Sequence, residues 1–208
     1  MSYLYVTNPF DGSPVGKVKL SSESEVDAAL AVAEKTHRNN KKGLPKYERA
    51  AILKKAAVIM KGRANDLALL IASEGGKPLI DAKVEVERAI DGVETCASEI
   101  ANNSGSEIPM DLTPAGEGKV AFTIKEPIGP VVAISAFNHP LNLIVHQVGP
   151  AVAAGNPVIV KPADDTPLCC EAFIEILHQA GLAPEWAQFI CCNVSVAQKL
   201  VTDERVSF

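Results

Sequence analysis

Two uninterrupted apolar runs, each followed by a segment with helical spacing, restrict the fold of this chain more than any other feature. The first covers residues 131–134, and the second lies within PVIVKP, residues 157–162. Such runs are typical of strands buried on both faces of a parallel sheet. Between them, Gly155 stands where a helix would end, after apolar residues at helical spacing: Leu141, Ile144, Val145, Val148 and Val152. Successive βαβ units predict a parallel, Rossmann-like sheet with right-handed crossovers.

The same alternation continues to the last residue of the chain. Residues 166–181 predict a second helix, residues 186–192 a third strand and residues 194–204 a third helix. The final four residues, RVSF, have strand character and no continuation. Because a domain usually ends in a finished element or an exposed tail, we expect the chain to be part of a longer protein.

The N-terminal half has a different, mainly helical pattern. Residues 3–20 predict short strands separated by turns, and Ser22 with Glu25 forms a capping box before a first helix. Three further helices follow, with Pro45 in the first turn of the second helix and Gly75-Gly76 at the end of the third. The fourth helix runs from about Leu79 to Asn103. Residues 104–118 predict a loop, and residues 119–125 alternate as in a strand with one solvated face.

Composition excludes several classes of function. The net charge is -5 and aromatic residues make up 5%, which argues against a nucleic-acid partner. The sequence shows no signal peptide, no apolar run long enough for a membrane helix and no metal-ligand cluster. Its five cysteines form no CxxC pair, so we expect free, mostly buried thiols and a cytoplasmic location.

Polar residues follow two of the predicted strands and mark a candidate ligand site. Ser135 to Asn138 follow the first strand, and Lys161 to Thr166 follow the second. In a doubly wound sheet, ligands bind beyond the carboxyl ends of the strands. Because neighbouring strands lie about 4.8 Å apart, both loops could contact one extended ligand.

Each candidate residue also has a purely structural interpretation. Lys161 could reach a ribose hydroxyl or a phosphate, and Asp164 could bind a ribose diol and repel a 2′-phosphate. Alternatively, this is a solvated strand end, with Asp165 or Thr166 capping the next helix.

The two polar residues of the other loop have two interpretations as well. The amide of Asn138 could donate to a developing oxyanion, or Asn138 is a turn residue. His139 precedes Pro140 and has no carboxylate nearby in sequence, which favours a packing or turn role.

These motifs, in this order, resemble the aldehyde dehydrogenase superfamily, although GxGxxG and Gly-x-Ser-x-Gly motifs are absent. The resemblance covers nearly the whole chain, because residues 73–86, SEGGKPLIDAKVEV, are also similar to a family segment. The matching groups are Glu126-Pro127-Ile128-Gly129, Phe137-Asn138, Gly149 to Asn156, Lys161-Pro162 and Thr166-Pro167.

The resemblance implies an aldehyde dehydrogenase-like α/β fold, an N-terminal helical region followed by the first half of a Rossmann-like parallel sheet. It implies NAD as the cofactor, with NADP as the alternative, and Asn138 as a catalytic residue that hydrogen-bonds the thiohemiacetal oxyanion. Lys161 and Asp164 would bind the adenosine ribose. The cofactor-binding residues it implies are Ile134, Ser135, Ala136, Phe137, Lys161, Ala163 and Asp164.

The departures from the family pattern concern both the cofactor cleft and the chemistry. Ala136-Phe137 stands where Pro-Trp is common, His139 stands where an aromatic residue is common, and ICCNVSVAQ lacks the usual Pro-Gly-rich turn. In this family a cysteine attacks the aldehyde and a glutamate activates water, and the motifs carrying both lie beyond Phe208. We therefore expect this chain alone to be inactive and to bind NAD weakly.

The resemblance implies the N-terminal part of an oligomeric enzyme that oxidises a small aldehyde to an acid. We expect residues 1–117 to supply the N-terminal strands and helices, residues 118–127 an oligomerisation-arm strand, and residues 128–208 the Rossmann-like part. One alternative is a non-catalytic protein that joins full-length subunits through the 119–125 strand. The other is an NADPH-dependent relative that reduces acyl phosphates to semialdehydes, against which the acidic Asp164 counts.

Overall fold

The computed structural model describes residues 2–41 and 43–208. The mainly helical N-terminal half opens with an antiparallel hairpin and also holds a minimal second hairpin. Its elements are β1 (Ser2–Thr7), β2 (Pro14–Leu20), α1 (Glu23–Asn39), α2 (Lys46–Gly62), α3 (Ala64–Gly75), α4 (Leu79–Asn102), β3 (Glu107–Ile108) and β4 (Ala121–Phe122). The C-terminal half alternates strands and helices: β5 (Val131–Ile134), α5 (Asn142–Ala154), β6 (Val158–Lys161), α6 (Pro167–Ala180), β7 (Ala187–Phe189) and α7 (Val194–Thr202).

The parallel sheet has the predicted topology. Its order is β5-β6-β7, and both neighbouring pairs are parallel. At the edge of β5 opposite β6, Ser207 donates its backbone N–H to the Pro130 carbonyl oxygen at 2.8 Å. There the Val132 N–H also donates to the Phe208 carbonyl oxygen at 2.8 Å. The last residues, which the sequence predicts to begin a fourth strand, therefore lie beside β5. They form no regular strand among the described residues.

Apolar residues on both faces of the sheet produce two cores and a three-layer arrangement. The larger core joins Val158 and Val160 of β6 to α2, α3, α4, α5 and α6. The smaller core joins Ile159 to Leu30 of α1 and Leu200 of α7. Because successive strand residues point to opposite faces, the apolar run in β6 supplies both cores.

Local signals in the sequence correctly predict several helix ends. Ser22 and Glu25 form the expected capping box at the start of α1. Helix α3 ends at Gly76 with φ of 65°, and α5 ends at Gly155 with φ of 89°. Glycine tolerates these left-handed conformations without the steric cost of a Cβ atom. Pro45 is the residue before α2, and it does not lie within the first turn of that helix as predicted.

The segment predicted as an arm strand forms much less regular structure than its alternation indicates. Only Ala121–Phe122 pairs, and its partner Glu107–Ile108 lies within the segment predicted as a loop. Three alternating apolar side chains are exposed on this segment: Val120, Phe122 and Ile124. The side chains of the opposite face, Lys119, Thr123 and Lys125, are exposed as well. The described residues therefore show no buried face on this segment, and the predicted division into a solvated face and a buried face is not found.

The prediction for the cysteines is confirmed, because all five are free thiols and four of them are buried. Across residues 2–41 and 43–208, no helix has the length and apolarity needed to cross a bilayer. The same residues contain no group of three or more His, Cys, Asp or Glu side chains able to hold a metal ion.

Candidate functional site

The two predicted loops lie side by side at the carboxyl edge of the parallel sheet. Ile134 at the end of β5 pairs with Lys161 at the end of β6. The Ser135 backbone N–H donates to the Lys161 carbonyl oxygen at 2.9 Å. The structure therefore brings the residues after β5 and the residues after β6 together, as the sequence predicts.

An ion pair occupies the β6 side of this edge. Lys161 Nζ lies 2.5 Å from Asp164 Oδ1, and the side chains are 10% and 48% exposed respectively. Lys161 is therefore an almost buried cation whose charge is balanced by a half-exposed carboxylate. Ala163, which lies between Lys161 and Asp164 in the sequence, is half-buried.

Apolar side chains are exposed on the β5 side of the same edge. Ile134 is 47% exposed and Phe137 is 62% exposed, whereas Ser135 is buried. Ala136 is exposed as well. The edge thus presents apolar surface beside an ion pair that can accept and donate hydrogen bonds. The apolar surface suits the flat rings of a dinucleotide, and the ion pair suits its ribose hydroxyls.

The interpretation of Asp165 or Thr166 as a helix cap is wrong. Thr166 is the residue before α6, but its side chain makes no capping hydrogen bond. The buried carboxylate of Glu74, at the end of α3, accepts from the backbone N–H groups of Leu168 at 2.8 Å and Cys169 at 2.9 Å. A carboxylate at this position satisfies two free N–H groups and complements the helix dipole. Burial raises the pKa of Glu74 above its ordinary value.

Asn138 lies in a cavity between the turn after β5 and the start of α4. The cavity has a volume of about 530 Å³, and its walls include Lys77, Glu85 and Arg88 opposite Asn138 and His139. Asn138 is exposed rather than packed into the turn. Its side chain is therefore available to a ligand in this cavity.

A buried ion pair supports the Asn138 turn from the helical half of the chain. Glu85 Oε1 accepts from the Leu141 N–H at 2.9 Å and the Asn142 N–H at 3.1 Å. Its other oxygen, Oε2, pairs with Lys77 Nζ. Glu85 therefore both caps α5 and balances a cation beside the cavity.

His139 completes this cluster. Its Nδ1 lies 3.0 Å from Lys77 Nζ and 3.4 Å from Glu85 Oε2. No carboxylate is near His139 in sequence, but folding brings Lys77 and the Glu85 carboxylate of α4 to its ring, so the predicted packing or turn role is incomplete. Sequence reasoning matched the SEGGKPLIDAKVEV segment to a family pattern, but it assigned no role to Glu74, Lys77 or Glu85.

Comparisons with known proteins point to one family. The sequence pattern of the Aldehyde dehydrogenase family matches residues 2–208. A 3-sulfolactaldehyde dehydrogenase from Priestia aryabhattai is 37% identical over 177 residues, which cover 85% of this chain and 36% of the relative.

Two solved structures share the fold. Aldehyde dehydrogenase 21 from Physcomitrella patens, in complex with the reaction product succinate, has a TM-score of 0.93 and 34% identity over 99% of this chain and 43% of its own. Glyceraldehyde-3-phosphate dehydrogenase from Methanocaldococcus jannaschii, complexed with NADP, has a TM-score of 0.89 and 31% identity over 98% of this chain and 44% of its own.

The chain thus spans 36% of the length of that curated relative. The family match nevertheless extends over residues 2–208 and includes both halves of the site described above. This protein belongs to the aldehyde dehydrogenase family.

Proposed function

We propose that this chain is the N-terminal, NAD(P)-binding portion of an enzyme that oxidises a small aldehyde to a carboxylic acid. The observation that carries the proposal is the position of Asn138. Its exposed amide lines a cavity next to the sheet edge that carries Ile134, Phe137 and the Lys161–Asp164 pair. One edge thus combines a surface suited to a dinucleotide with a hydrogen-bond donor suited to a reacting carbonyl.

In this proposal the sheet edge holds the cofactor. Lys161 and Asp164 bind the adenosine ribose through the ammonium and the half-exposed carboxylate. Ala163 contacts the same part of the cofactor, while the backbone and apolar atoms of residues 134–137 line the cleft. The bound cofactor supplies a hydride acceptor. The negative charge of Asp164 supports NAD over NADP, because NADP would add a phosphate on the ribose.

Asn138 acts on the aldehyde. Its side-chain amide donates a hydrogen bond to the aldehyde oxygen as negative charge develops there. A fixed donor of this kind lowers the barrier by about 3–4 kcal/mol in related acyl chemistry. The amide is effective only if its direction is fixed. The hydrogen bonds of Glu85 with Leu141 and Asn142, just after Asn138 in the chain, support a fixed direction.

The chain by itself has no thiol suited to nucleophilic attack. Burial raises the pKa of all five cysteines above the ordinary value, that of Cys191 to about 11. The thiolate is the nucleophilic form, so raised pKa values oppose this chemistry. We propose that the isolated chain is inactive and that it resides in a reducing cytosol, where its thiols stay free.

A role in assembly is the second candidate, and one observation favours it. Val120, Phe122 and Ile124 are 84%, 69% and 72% exposed on the 118–127 segment, which forms only a minimal hairpin. An exposed alternating segment can extend the sheet of a partner. We propose that residues 118–127 form an oligomerisation arm between residues 1–117 and residues 128–208, which together bind the cofactor.

Calorimetric titration of the 208-residue chain with NAD and NADP tests the principal proposal. We expect measurable but weak binding of NAD, weaker binding of NADP, and no NADH formation when a small aldehyde is added. Failure of both nucleotides to bind would overturn the cofactor role and favour the assembly role. Aldehyde-dependent NADH formation would overturn the inactivity of the isolated chain.

A further inference from the structure

The contacts of His139 assign its proton to one ring nitrogen. A lysine ammonium can only donate, so the 3.0 Å contact between Lys77 Nζ and His139 Nδ1 requires Nδ1 to accept. The competing contact, from Nδ1 to Glu85 Oε2, is 3.4 Å and is longer than an ordinary N–H···O hydrogen bond. A neutral imidazole whose Nδ1 accepts carries its proton on Nε2.

The ring is also fixed in place. Glu85 is held by two backbone N–H groups of the α5 start and holds Lys77, which in turn donates to the ring. Among the described residues, His139 Nε2 has no hydrogen-bond partner, and the side chain is 42% exposed. Because His139 lines the cavity beside Asn138, Nε2–H is a spare donor at the wall of that cavity.

The charges around the cavity indicate what this donor would bind. Lys77 and Glu85 neutralise one another, and the remaining charged residues of the lining, Asp81 and Arg88, have opposite signs. A lining without net charge favours an uncharged acceptor over an anion at the position of His139. Asn138 and His139 both line this cavity, so their two donors can serve two oxygens of one small ligand.

We propose that His139 is a specificity-determining residue that donates Nε2–H to a hydroxyl on the carbon next to the aldehyde carbon. The substrate class is then a 2-hydroxyaldehyde, with its aldehyde oxygen at Asn138 and its hydroxyl oxygen at His139. Lys77 and Glu85 are positioning residues that fix the tautomer and orientation of the ring. This inference rests on the proposed function, because it assumes that Asn138 holds the aldehyde oxygen.

Magnetic resonance of the nitrogen-labelled 208-residue chain tests the proposal in two steps. Long-range nitrogen–proton spectra of the histidine rings report which nitrogen of His139 carries the proton. We expect protonated Nε2 in the wild type and a mixture of tautomers in Lys77→Met, which removes the donor to Nδ1. A proton found mainly on Nδ1 of the wild-type ring would overturn the assignment.

The second step compares lactate with propionate, two acids that differ by one hydroxyl and stand for the products of the corresponding aldehydes. We expect the wild type to bind lactate about threefold to tenfold more tightly, as one net hydrogen bond predicts. His139→Phe should reduce this ratio to about one, whereas the exposed His146→Phe, outside the cavity lining, should keep it. Equal affinities in the wild type, or a retained preference in His139→Phe, would refute the role of His139.

Titration of the same samples with NAD separates this inference from the proposed function. NAD binding together with equal lactate and propionate affinities would remove only the 2-hydroxyaldehyde specificity. A lactate preference that depends on His139, without binding of NAD or NADP, would support the hydroxyl contact and overturn the cofactor role. The amide spectrum of each variant shows whether it is folded, so that a lost preference can be assigned to the side chain.

Discussion

The Glu85 carboxylate on α4 lies 2.9 Å from the backbone nitrogen of Leu141, at the start of α5, 56 residues further along the chain. Together with the contacts of Glu85 with Asn142 and of Lys77 with His139, it ties the helical N-terminal half to the turn that carries Asn138. Glu74 makes the equivalent connection to α6 through Leu168 and Cys169. Two buried carboxylates from one side of the molecule thus cap two helices of the Rossmann-like part.

Removal of the Glu85 side chain should destabilise the protein strongly. Glu85→Ala leaves two helix N–H groups without their acceptor and the mostly buried Lys77 without its counter-ion. We expect the free energy of unfolding to fall by about 2–4 kcal/mol, measured by urea denaturation. Glu94→Ala removes only a surface ion pair with Lys61 and should cost about 0–1 kcal/mol. Similar losses in the two variants would contradict this account.

Glu74 should make stability depend on pH. Burial raises its pKa above the ordinary value of 4.5, so over a range above pH 4.5 the folded state retains a proton that the unfolded state releases. The contribution of Glu74 is therefore fully present below pH 4.5 and is lost as pH rises through the raised pKa. Glu74→Gln cannot titrate and should abolish this decline in the free energy of unfolding.

The matched control for Glu74 is the exposed Glu87 on α4. Glu87→Gln should retain the pH dependence of the wild type, measured by denaturant unfolding at a series of pH values. Glu74→Gln should also be less stable by about 1–3 kcal/mol, since glutamine offers one acceptor oxygen to two N–H groups. An unchanged pH dependence in Glu74→Gln would show that other groups cause it.

Asp164 should control the choice between NAD and NADP. Its carboxylate is half-exposed beside Lys161, where the proposed cofactor ribose lies. Asp164→Asn removes one negative charge near the 2′ position, which is worth about 1 kcal/mol at an exposed site. We expect NADP affinity to rise roughly fivefold to tenfold and NAD affinity to fall, measured by calorimetry. Asp165→Asn, the exposed neighbour, should leave both affinities nearly unchanged.

The contact between α4 and α5 should be sensitive to one added methyl group. A Cβ atom at Gly149 would lie 2.9 Å from Cys96 Sγ, closer than real Cβ contacts allow. We expect Gly149→Ala to lower the free energy of unfolding by about 1–3 kcal/mol, because overpacking outweighs the higher helix propensity of alanine. Thermal and denaturant unfolding would measure this loss.

A second substitution tests the cause of that loss. Cys96→Ala removes the sulfur atom that a methyl group at Gly149 would meet. The double variant should therefore lose less stability than the sum of the two single variants, which is the signature of direct contact. Strict additivity would place the cost of Gly149→Ala elsewhere.

The sequence by itself determined the helices, the strands of the parallel sheet and their order, because their signals are local. The apolar runs of β5 and β6, the capping box of Ser22 and the glycines after α3 and α5 all act within a few residues. Parallel pairing then followed from chain connectivity, so the edge carrying Ile134 and Lys161 was predictable. The resemblance to the family added the proposed roles of Asn138 and Asp164, which spacing alone left open.

Only the tertiary structure decided how the site is supported. The caps of α5 and α6 come from Glu85 and Glu74. The partners of His139 are Glu85 on α4 and Lys77, two residues before that helix. None of these contacts produces a periodic pattern in the sequence, because a carboxylate can accept from any free N–H group that folding brings near it. Likewise, alternation in residues 119–125 could not show that only Ala121–Phe122 finds a strand partner. Local sequence dictates backbone conformation, whereas buried polar contacts depend on which distant surfaces pack together.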